Sequence, residues 1–260
     1  MKFFASLAFI LVFLLNSKTM AQDTSAYQKK TFEKKGKLMP YRILLPQDFN
    51  PKTKYPLILV LHGSGERGND NEAQLVHGSE LFLQEEIRNT YPAIVVFPQC
   101  AAESSWAKID VTGDFPDREF IFYEDAEATP DMVLLEGLIK QLKKEYKITK
   151  DQMYVGGLSM GGMGTFELVQ RNPKMFAAAF PICGGANPLI SKRLKNLDWW
   201  VFHGDADNVV PEKYSANMVE TMGNQKINVK YTVYKGVGHN SWDNAFAEPD
   251  LIPWLFSKSK

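Results

Sequence analysis

The stretch that decides the fold is Met153-Tyr154-Val155-Gly156-Gly157-Leu158-Ser159-Met160-Gly161-Gly162. An apolar run leads into Gly157-x-Ser159-x-Gly161, and a helical pattern follows. An attacking serine sits on a sharp strand-to-helix turn, where the residues two before and two after it must be small because the backbones come close. The helix N-terminus also favours developing negative charge. This stretch predicts a nucleophilic serine rather than a glycine-rich crossing without chemistry.

A serine hydroxyl needs a base to take its proton and an acid to orient that base. His239 follows the last apolar run, C-terminal to the serine, and Asp205 and Asp207 follow the run before it. The chain order Ser159, Asp207, His239 is the order expected when such a triad lies on a sheet of this kind. His239 is therefore the predicted base, and the two aspartates compete for the role of the acid.

The other histidines are assigned structural places. His203 lies inside its strand and is expected to be a structural, hydrogen-bonding residue. His77 is expected on the surface of a helix, and His62 in a turn. None of these three is predicted to be the base.

A glycine-rich turn follows the apolar run Leu57–Leu61 and reads His62-Gly63-Ser64-Gly65-Glu66-Arg67-Gly68. Its Gly-x-Gly-x-x-Gly spacing matches the dinucleotide fingerprint. The turn continues polar instead of opening a helix, and the acids about 20 residues on fall in a helical stretch rather than at the end of a strand. The better interpretation is an oxyanion turn, with the backbone N–H groups of Ser64 and Met160 as donors.

The remaining chain alternates short apolar runs with amphipathic ones. Two strand-like runs, around Tyr27–Lys34 and Leu38–Leu45, come first, with Lys35-Gly36 as their turn. Apolar runs of 4–8 residues are typical of strands buried on both faces of a parallel sheet. Beyond the central motif, these runs are Leu57–Leu61, Ala93–Phe97, Ala177–Ile182, Trp199–Phe202 and Val229–Tyr234.

Helices are predicted between the runs. Thr129-Pro130 is an N-cap and first-turn pair, Ser159 to Arg171 forms a second helix, and Pro211 opens a third that Gly223 closes. The alternation predicts an α/β fold, with a mostly parallel central sheet, helices on both faces and an N-terminal antiparallel hairpin. No linker interrupts it, so residues 22–260 are interpreted as one catalytic domain.

The stretch Ala101–Thr129 has no clear periodicity but is rich in aromatic residues. A loop of this length in a compact domain is usually functional, as a lid or a binding wall. A surface excursion that packs its own aromatics is the alternative, and the sequence leaves both open.

The first 21 residues are predicted to be a signal peptide. Lys2 precedes an apolar run from Phe3 to Leu15, and Thr19-Met20-Ala21 offers small residues before a cut at Gln22. The run is shorter than the roughly 20 residues of a spanning helix, so the mature chain is expected to be secreted or periplasmic, without a stable membrane span.

Composition excludes other classes. The chain has 30 basic and 30 acidic residues among 260, which argues against a nucleic-acid partner, since such proteins show a basic excess. Two cysteines are too few for a disulfide scaffold.

These motifs resemble the α/β-hydrolase superfamily. The segments 61–68, 97–100, 157–162 and 236–242 are similar to a branch labelled predicted peptidases, related to the phospholipase/carboxylesterase, polyhydroxybutyrate depolymerase and feruloyl or acetyl-xylan esterase groups. Residues 203–211 resemble the superfamily signature H-G-x-x-D-x-x-V-P, in which the second aspartate is catalytic, and that assigns the acid role to Asp207.

The resemblance implies hydrolysis of carboxylic esters through an acyl-enzyme, with no metal and no cofactor. The substrate would be a small ester or an acyl group on a polysaccharide. A serine peptidase or amidase with the same triad is the alternative, and a non-catalytic binding protein on this fold is a third hypothesis.

Three further residues are candidates for the substrate pocket. Trp106 and Trp242 offer aromatic faces that stack on sugars or phenolic rings, although ordinary burial explains them as well. Arg67 could meet a substrate carboxylate with both guanidinium nitrogens, or form an internal salt bridge.

Cys100 and Cys183 are expected to be free thiols. The usual strand order of such a sheet puts three strand spacings between them, roughly 14 Å, which exceeds the limit of about 7 Å between the Cα atoms of a disulfide.

Overall fold

A computed structural model describes residues 23–114 and 117–260, and the predicted signal peptide lies outside them. The strands are β1 (Gln28–Lys34), β2 (Lys37–Leu44), β3 (Tyr55–Leu61), β4 (Ile94–Pro98), β5 (Ile109–Thr112), β6 (Glu119–Phe122), β7 (Ile148–Leu158), β8 (Ala178–Ile182), β9 (Asp198–Gly204) and β10 (Val229–Tyr234). The helices are α1 (Ser79–Leu83), α2 (Glu85–Thr90), α3 (Pro130–Glu145), α4 (Met160–Arg171), α5 (Lys213–Asn224), α6 (Trp242–Phe246) and α7 (Leu251–Phe256).

Eight strands form one sheet in the order β1-β2-β4-β3-β7-β8-β9-β10. The first two pairings are antiparallel, and the rest are parallel. Lys35 and Gly36, the predicted turn, have φ values of 53° and 75°, as a tight hairpin turn that matches the strand twist requires. The predicted fold, a mostly parallel sheet with an N-terminal antiparallel hairpin, is confirmed.

Helices cover both faces of the sheet, and the alternation along β3 shows how. Leu57, Leu59 and Leu61 pack into the core under α3, α4 and α5, while Ile58 and Val60 pack into the core under α1, α2, α6 and α7. Because each face is buried, every position of this strand must be apolar. The near-continuous apolar runs in the sequence have this cause.

The predicted helices are present, with small shifts. The Thr129 hydroxyl accepts a hydrogen bond from the Met132 N–H and caps α3 as expected. The helix expected to open at Pro211 begins at Lys213 instead, and Gly223 lies inside its last turn rather than closing it.

Two local predictions are corrected. The stretch 101–129 is not structureless, because β5 and β6 pair within it as a separate antiparallel hairpin. His77 lies in a turn before α1 and not on a helix, and it is partly buried against Trp242.

The cysteines are free, as predicted, and both are buried. Cys100 follows β4 and Cys183 follows β8, and strands β3 and β7 lie between them in the sheet. In the part of the chain that the structure describes, no helix combines the length and the apolar character that crossing a bilayer requires.

Candidate active site

Ser159 occupies the turn between β7 and α4, with φ 53° and ψ −116°. This is a strained conformation for a residue with a side chain. The surrounding glycines allow the turn: a Cβ at Gly157 or Gly161 would lie 2.4 Å or 1.9 Å from the Leu61 carbonyl oxygen. The small residues predicted on either side of the serine are therefore required by backbone contact.

A chain of hydrogen bonds runs from Ser159 through His239 to Asp207. The Ser159 Oγ lies 2.9 Å from His239 Nε2, and His239 Nδ1 lies 2.7 Å from Asp207 Oδ2. Three loops, which follow the parallel strands β7, β9 and β10, meet at the carboxyl edge of the sheet, which is where ligands bind in open α/β sheets. The structure brings together the three residues that the sequence singled out for nucleophile, base and acid.

Asp207 is buried and held as a carboxylate. Burial alone would raise its pKa, but hydrogen bonds from His203, His239 and the backbone N–H of Val210 outweigh burial and hold the pKa well below its usual range. Its Oδ1 accepts from the N–H groups of Val209 and Val210 at 2.8 and 2.9 Å. Asp207 is therefore ionised beside the imidazole at neutral pH.

Asp205, the competing acid, has another role. Its Oδ1 accepts from the N–H of Gly236 at 2.6 Å, across to the loop that carries His239. It ties that loop to the end of β9 and does not contact His239.

His203 is fully buried in β9, as predicted for a structural histidine. Its Nε2 lies 3.2 Å from Asp207 Oδ2 and 2.9 Å from the Val210 carbonyl, while its Nδ1 lies 2.7 Å from Ser215 Oγ. Because both neighbours of Nε2 accept, this nitrogen carries a proton. The contact with Asp207 was not foreseen from the sequence, which shows only the spacing of four residues between them.

The predicted oxyanion donors both border the cavity in front of Ser159. Met160 is the first residue of α4, so its N–H has no acceptor within the helix. Ser64 opens a short 3-10 helix, Ser64–Glu66, after the turn that follows β3. Two N–H groups on this side of the nucleophile are suited to a developing oxyanion.

His62 supports that turn. Its Nδ1 donates to the Gly63 carbonyl at 2.6 Å, and its Nε2 accepts from the N–H of Cys100 at 3.0 Å. Burial lowers the pKa of His62 to about 4, so the ring is neutral at pH 7. It is a turn residue, as the sequence indicated.

The prediction that Trp106 borders the substrate pocket is wrong. Its side chain is fully buried, its Nε1–H donates to the His62 carbonyl at 3.1 Å, and its Cβ lies where a Cβ at Gly164 would clash. The indole fills the space behind the turn that carries Ser64, and its faces cannot meet a ligand.

Trp242 and Arg67 remain beside the site. The Trp242 ring packs edge-on against His239, with centroids 5.3 Å apart, and is partly exposed. Arg67 is exposed and borders the cavity of Ser159; its Nε and Nη1 donate to the Ser64 and Ser104 carbonyls at 3.0 and 3.2 Å. Arg67 has no carboxylate partner among the described residues, so the alternative of an internal salt bridge is not observed there.

The β5–β6 hairpin forms one side of the cavity, whose volume is about 290 Å³. Ile109, Val111 and Phe120 face the cavity from cross-strand positions, opposite Met163 of α4. Tyr214 of α5 holds the hairpin, since its hydroxyl accepts from the N–H of Phe120 at 2.8 Å. These residues were missed as site residues, although their alternation at every second position is a strand signal.

One cluster of metal-ligand type occurs in residues 23–114 and 117–260. Cys183, Asp207 and His239 bring ligand atoms within 4.8 Å of one another. Burial, and then the charge of Asp207, raises the pKa of the Cys183 thiol. Two of the three are already hydrogen-bonded to each other, and the thiol is protonated, so this cluster is part of the hydrogen-bonded site.

The sheet topology and the Ser159 turn define the class of protein as one with the α/β-hydrolase fold. The chain belongs to the putative esterase family, whose model matches residues 33–243. The predicted resemblance to esterases is thereby confirmed.

Individual relatives agree with this family. A solved thermostable esterase is 35% identical with a TM-score of 0.82, over 91% of this chain and 64% of that one. The bifunctional acetylxylan esterase/xylanase XynS20E of Neocallimastix patriciarum is 28% identical, over 65% of this chain and 21% of its own length. The probable feruloyl esterase C of Aspergillus oryzae is 25% identical, over 66% of this chain and 56% of its own length. The chain thus spans less than two thirds of each of these proteins.

Proposed function

We propose that this protein hydrolyses carboxylic esters through a covalent acyl-enzyme formed on Ser159. The observation that carries the proposal is the hydrogen-bonded chain from Ser159 through His239 to Asp207, which opens into a cavity beside two suitable N–H donors. Membership of the esterase family supports the same chemistry.

In the first half of the reaction, His239 Nε2 takes the proton of the Ser159 hydroxyl as its oxygen attacks the ester carbonyl. Asp207 holds the imidazole through Nδ1 and stabilises the positive charge that forms on it. The carbonyl oxygen becomes an oxyanion, which the N–H groups of Ser64 and Met160 receive. His239 then gives its proton to the departing alkoxide, and the alcohol leaves.

In the second half, a water molecule takes the place of the alcohol. His239 accepts a proton from this water as its oxygen attacks the acyl carbonyl, and then returns the proton to Ser159 as the acid departs. The elbow, the turn between β7 and α4 that carries Ser159, contributes by holding the serine oxygen above the sheet, since the strained φ and ψ of Ser159 allow little adjustment.

The finer proposal is that the ester is a small one or an acyl group on a polysaccharide. An acetylxylan esterase and a feruloyl esterase among the relatives support it. An open groove of about 720 Å³ adjoins the cavity and shares Arg67, Ser105 and Ile109 with it, so a substrate larger than one acyl group has room beside Ser159.

We further propose that the mature chain begins at Gln22 as one catalytic domain and is exported. The support is the signal-like sequence of residues 1–21. Mass spectrometry of the chain recovered from outside the cytoplasm tests it; an intact Met1 there would contradict the cleavage.

The experiment that tests the function is hydrolysis of p-nitrophenyl acetate by the chain from Gln22, beside Ser159→Ala and Ser257→Ala. Ser257 is an exposed serine in the C-terminal segment and serves as the matched control. We expect kcat/KM to fall by about a thousandfold or more in Ser159→Ala alone. Equal rates in all three chains would contradict the proposal, and turnover of amides but not esters would favour a peptidase.

A further inference from the structure

The cavity in front of Ser159 carries positive charge and no negative charge. Arg67 and Arg118 border it, with apolar side chains between them, and no aspartate or glutamate is among its lining residues. The neighbouring groove differs, because Glu103 and Glu127 border it together with Lys108 and the shared Arg67, so its charges balance. The net positive charge thus lies at the cavity where the substrate meets the nucleophile.

Both guanidinium groups have capacity to bind. Arg67 uses Nε and Nη1 on backbone carbonyls, which leaves its Nη2 without a partner in the described residues. Arg118, immediately before β6, is exposed and makes no hydrogen bond or ion pair within the described part of the chain. The neighbouring Glu119 is occupied by Lys213 and Tyr214. A planar guanidinium fork matches a carboxylate bidentately.

The cavity lies on the acyl side of the ester. His239 must give its proton to the leaving alcohol, so the alcohol leaves past His239. Neither His239 nor the Trp242 packed against it borders this cavity, whereas Ser64, Ser159 and Met160 do. The group that stays attached to Ser159 therefore extends under the hairpin, toward Arg118.

We propose that the cavity selects an anionic acyl group: a short, largely apolar chain that ends in a carboxylate, as in the half-ester of a dicarboxylic acid. The chain lies between Val111, Phe120 and Met163, and the carboxylate meets Arg118 and Arg67. This inference rests on the proposed ester hydrolysis and adds the chemical class of the acyl group. No oxidant, metal or second substrate is involved, because the carboxylate only binds.

The test compares two esters of equal shape and different charge. Monoethyl glutarate carries the carboxylate, and the ethyl ester of glutaramic acid carries a neutral amide in its place. We expect a kcat/KM about tenfold higher for the anionic ester, a ratio that corresponds to one charge-assisted hydrogen-bonded pair with an exposed arginine. The butanoyl ester of glycolic acid carries its carboxylate on the alcohol side. Its kcat/KM should be no higher than that of the corresponding neutral amide.

Variants identify the residue responsible. In Arg118→Gln the anionic-to-neutral ratio should fall about tenfold, and in Arg118→Lys it should fall less, because charge remains without the planar fork. Lys140→Gln removes the same charge from an exposed position of α3 and should keep the wild-type ratio. A wild-type ratio near one, or an equal loss in Lys140→Gln, would overturn the proposal.

A binding measurement separates this inference from the proposed function. Ligand-observed NMR of Ser159→Ala with each ester requires no turnover. Stronger binding of monoethyl glutarate than of the amide, lost in the double variant with Arg118→Gln, would support the anionic pocket even if no ester were hydrolysed. If neutral esters are hydrolysed but binding shows no preference for the anionic ester, the proposed ester hydrolysis is supported and the anionic acyl pocket is contradicted.

Discussion

His203 Nε2 lies 3.2 Å from Asp207 Oδ2, the same oxygen that accepts from His239 Nδ1 at 2.7 Å. Two histidines therefore share one carboxylate oxygen, one from within β9 and one from the loop after β10. A carboxylate oxygen that accepts from two donors is held in place more firmly than one with a single donor. His203 is thus placed to orient Asp207 toward His239 without touching a substrate.

Replacing His203 by Phe should lower kcat/KM for p-nitrophenyl acetate by roughly tenfold. The Phe ring fills similar space but donates no hydrogen bond, so Asp207 Oδ2 loses one of the two donors that hold it in place beside His239. Ser215→Ala, which changes the contact at the other ring nitrogen of His203, is the comparison and should keep most of the activity. A wild-type kcat/KM in His203→Phe would contradict this role of His203.

Alanine at Gly161 should abolish folding or activity, whereas alanine at Gly223 should stabilise the protein. A Cβ at Gly161 would lie 1.9 Å from the Leu61 carbonyl oxygen, but a Cβ at Gly223 meets nothing within 4 Å. Inside α5 the second change gains about 0.5–1 kcal/mol from helix propensity. Urea unfolding monitored by circular dichroism measures both; a fully active Gly161→Ala would contradict the packing of the elbow.

The stability of the fold should fall as the pH drops from about 6.5 to about 4, in part through His62. Burial depresses the pKa of His62 from 6.5 to about 4. Over this range the unfolded chain binds a proton that the folded chain refuses, so acid favours unfolding, by up to about 3 kcal/mol. Urea midpoints measured from pH 7 to pH 4 test this.

The control for that series is His62→Gln, which removes the titrating ring. Its free energy of unfolding should be lower at pH 7, because hydrogen bonds to Gly63 and Cys100 are lost. Its decline with acid should be shallower than that of the wild type. If the free energy of unfolding of the two chains fell in parallel with pH, His62 would have the same pKa in the folded and the unfolded chain, and the prediction would be contradicted.

Neither cysteine should react with a thiol reagent in the folded protein. Cys100 and Cys183 are buried, and burial raises the pKa of both thiols, so the reactive thiolate is scarce. Ellman's reagent should find both thiols after denaturation without reductant. If the denatured protein showed no reactive thiol until a reductant was added, the two cysteines would be paired in a disulfide.

Much of the candidate site was readable from the sequence because its determinants are local. The elbow needs glycine two residues either side of Ser159, and the strands around it need apolar side chains on both faces. The order of Ser159, Asp207 and His239 along the chain follows from the strands that carry them. These requirements are therefore visible in the sequence as residue spacing and as apolar composition.

Other features depended on which distant segments meet. Asp205 and Asp207 are two residues apart in one loop, and the distinction rests on which group of the loop after β10 each one meets, the Gly236 N–H or the His239 ring. Trp106 looked like a pocket residue but lies behind the oxyanion turn, because α4 offers Gly164 as space for it. Arg118 had no local signal at all.

The sequence by itself determined the strands of the main sheet, the strand-to-helix turn at Ser159 and the order of the reacting groups, because burial and backbone contact act on neighbouring residues. Only the tertiary structure decided what surrounds those groups. The cavity forms where the β5–β6 hairpin packs against α4 and α5, tens of residues away in the chain. Side chains that meet across such distances leave no periodic pattern, so their shape and charge appear only in the folded molecule.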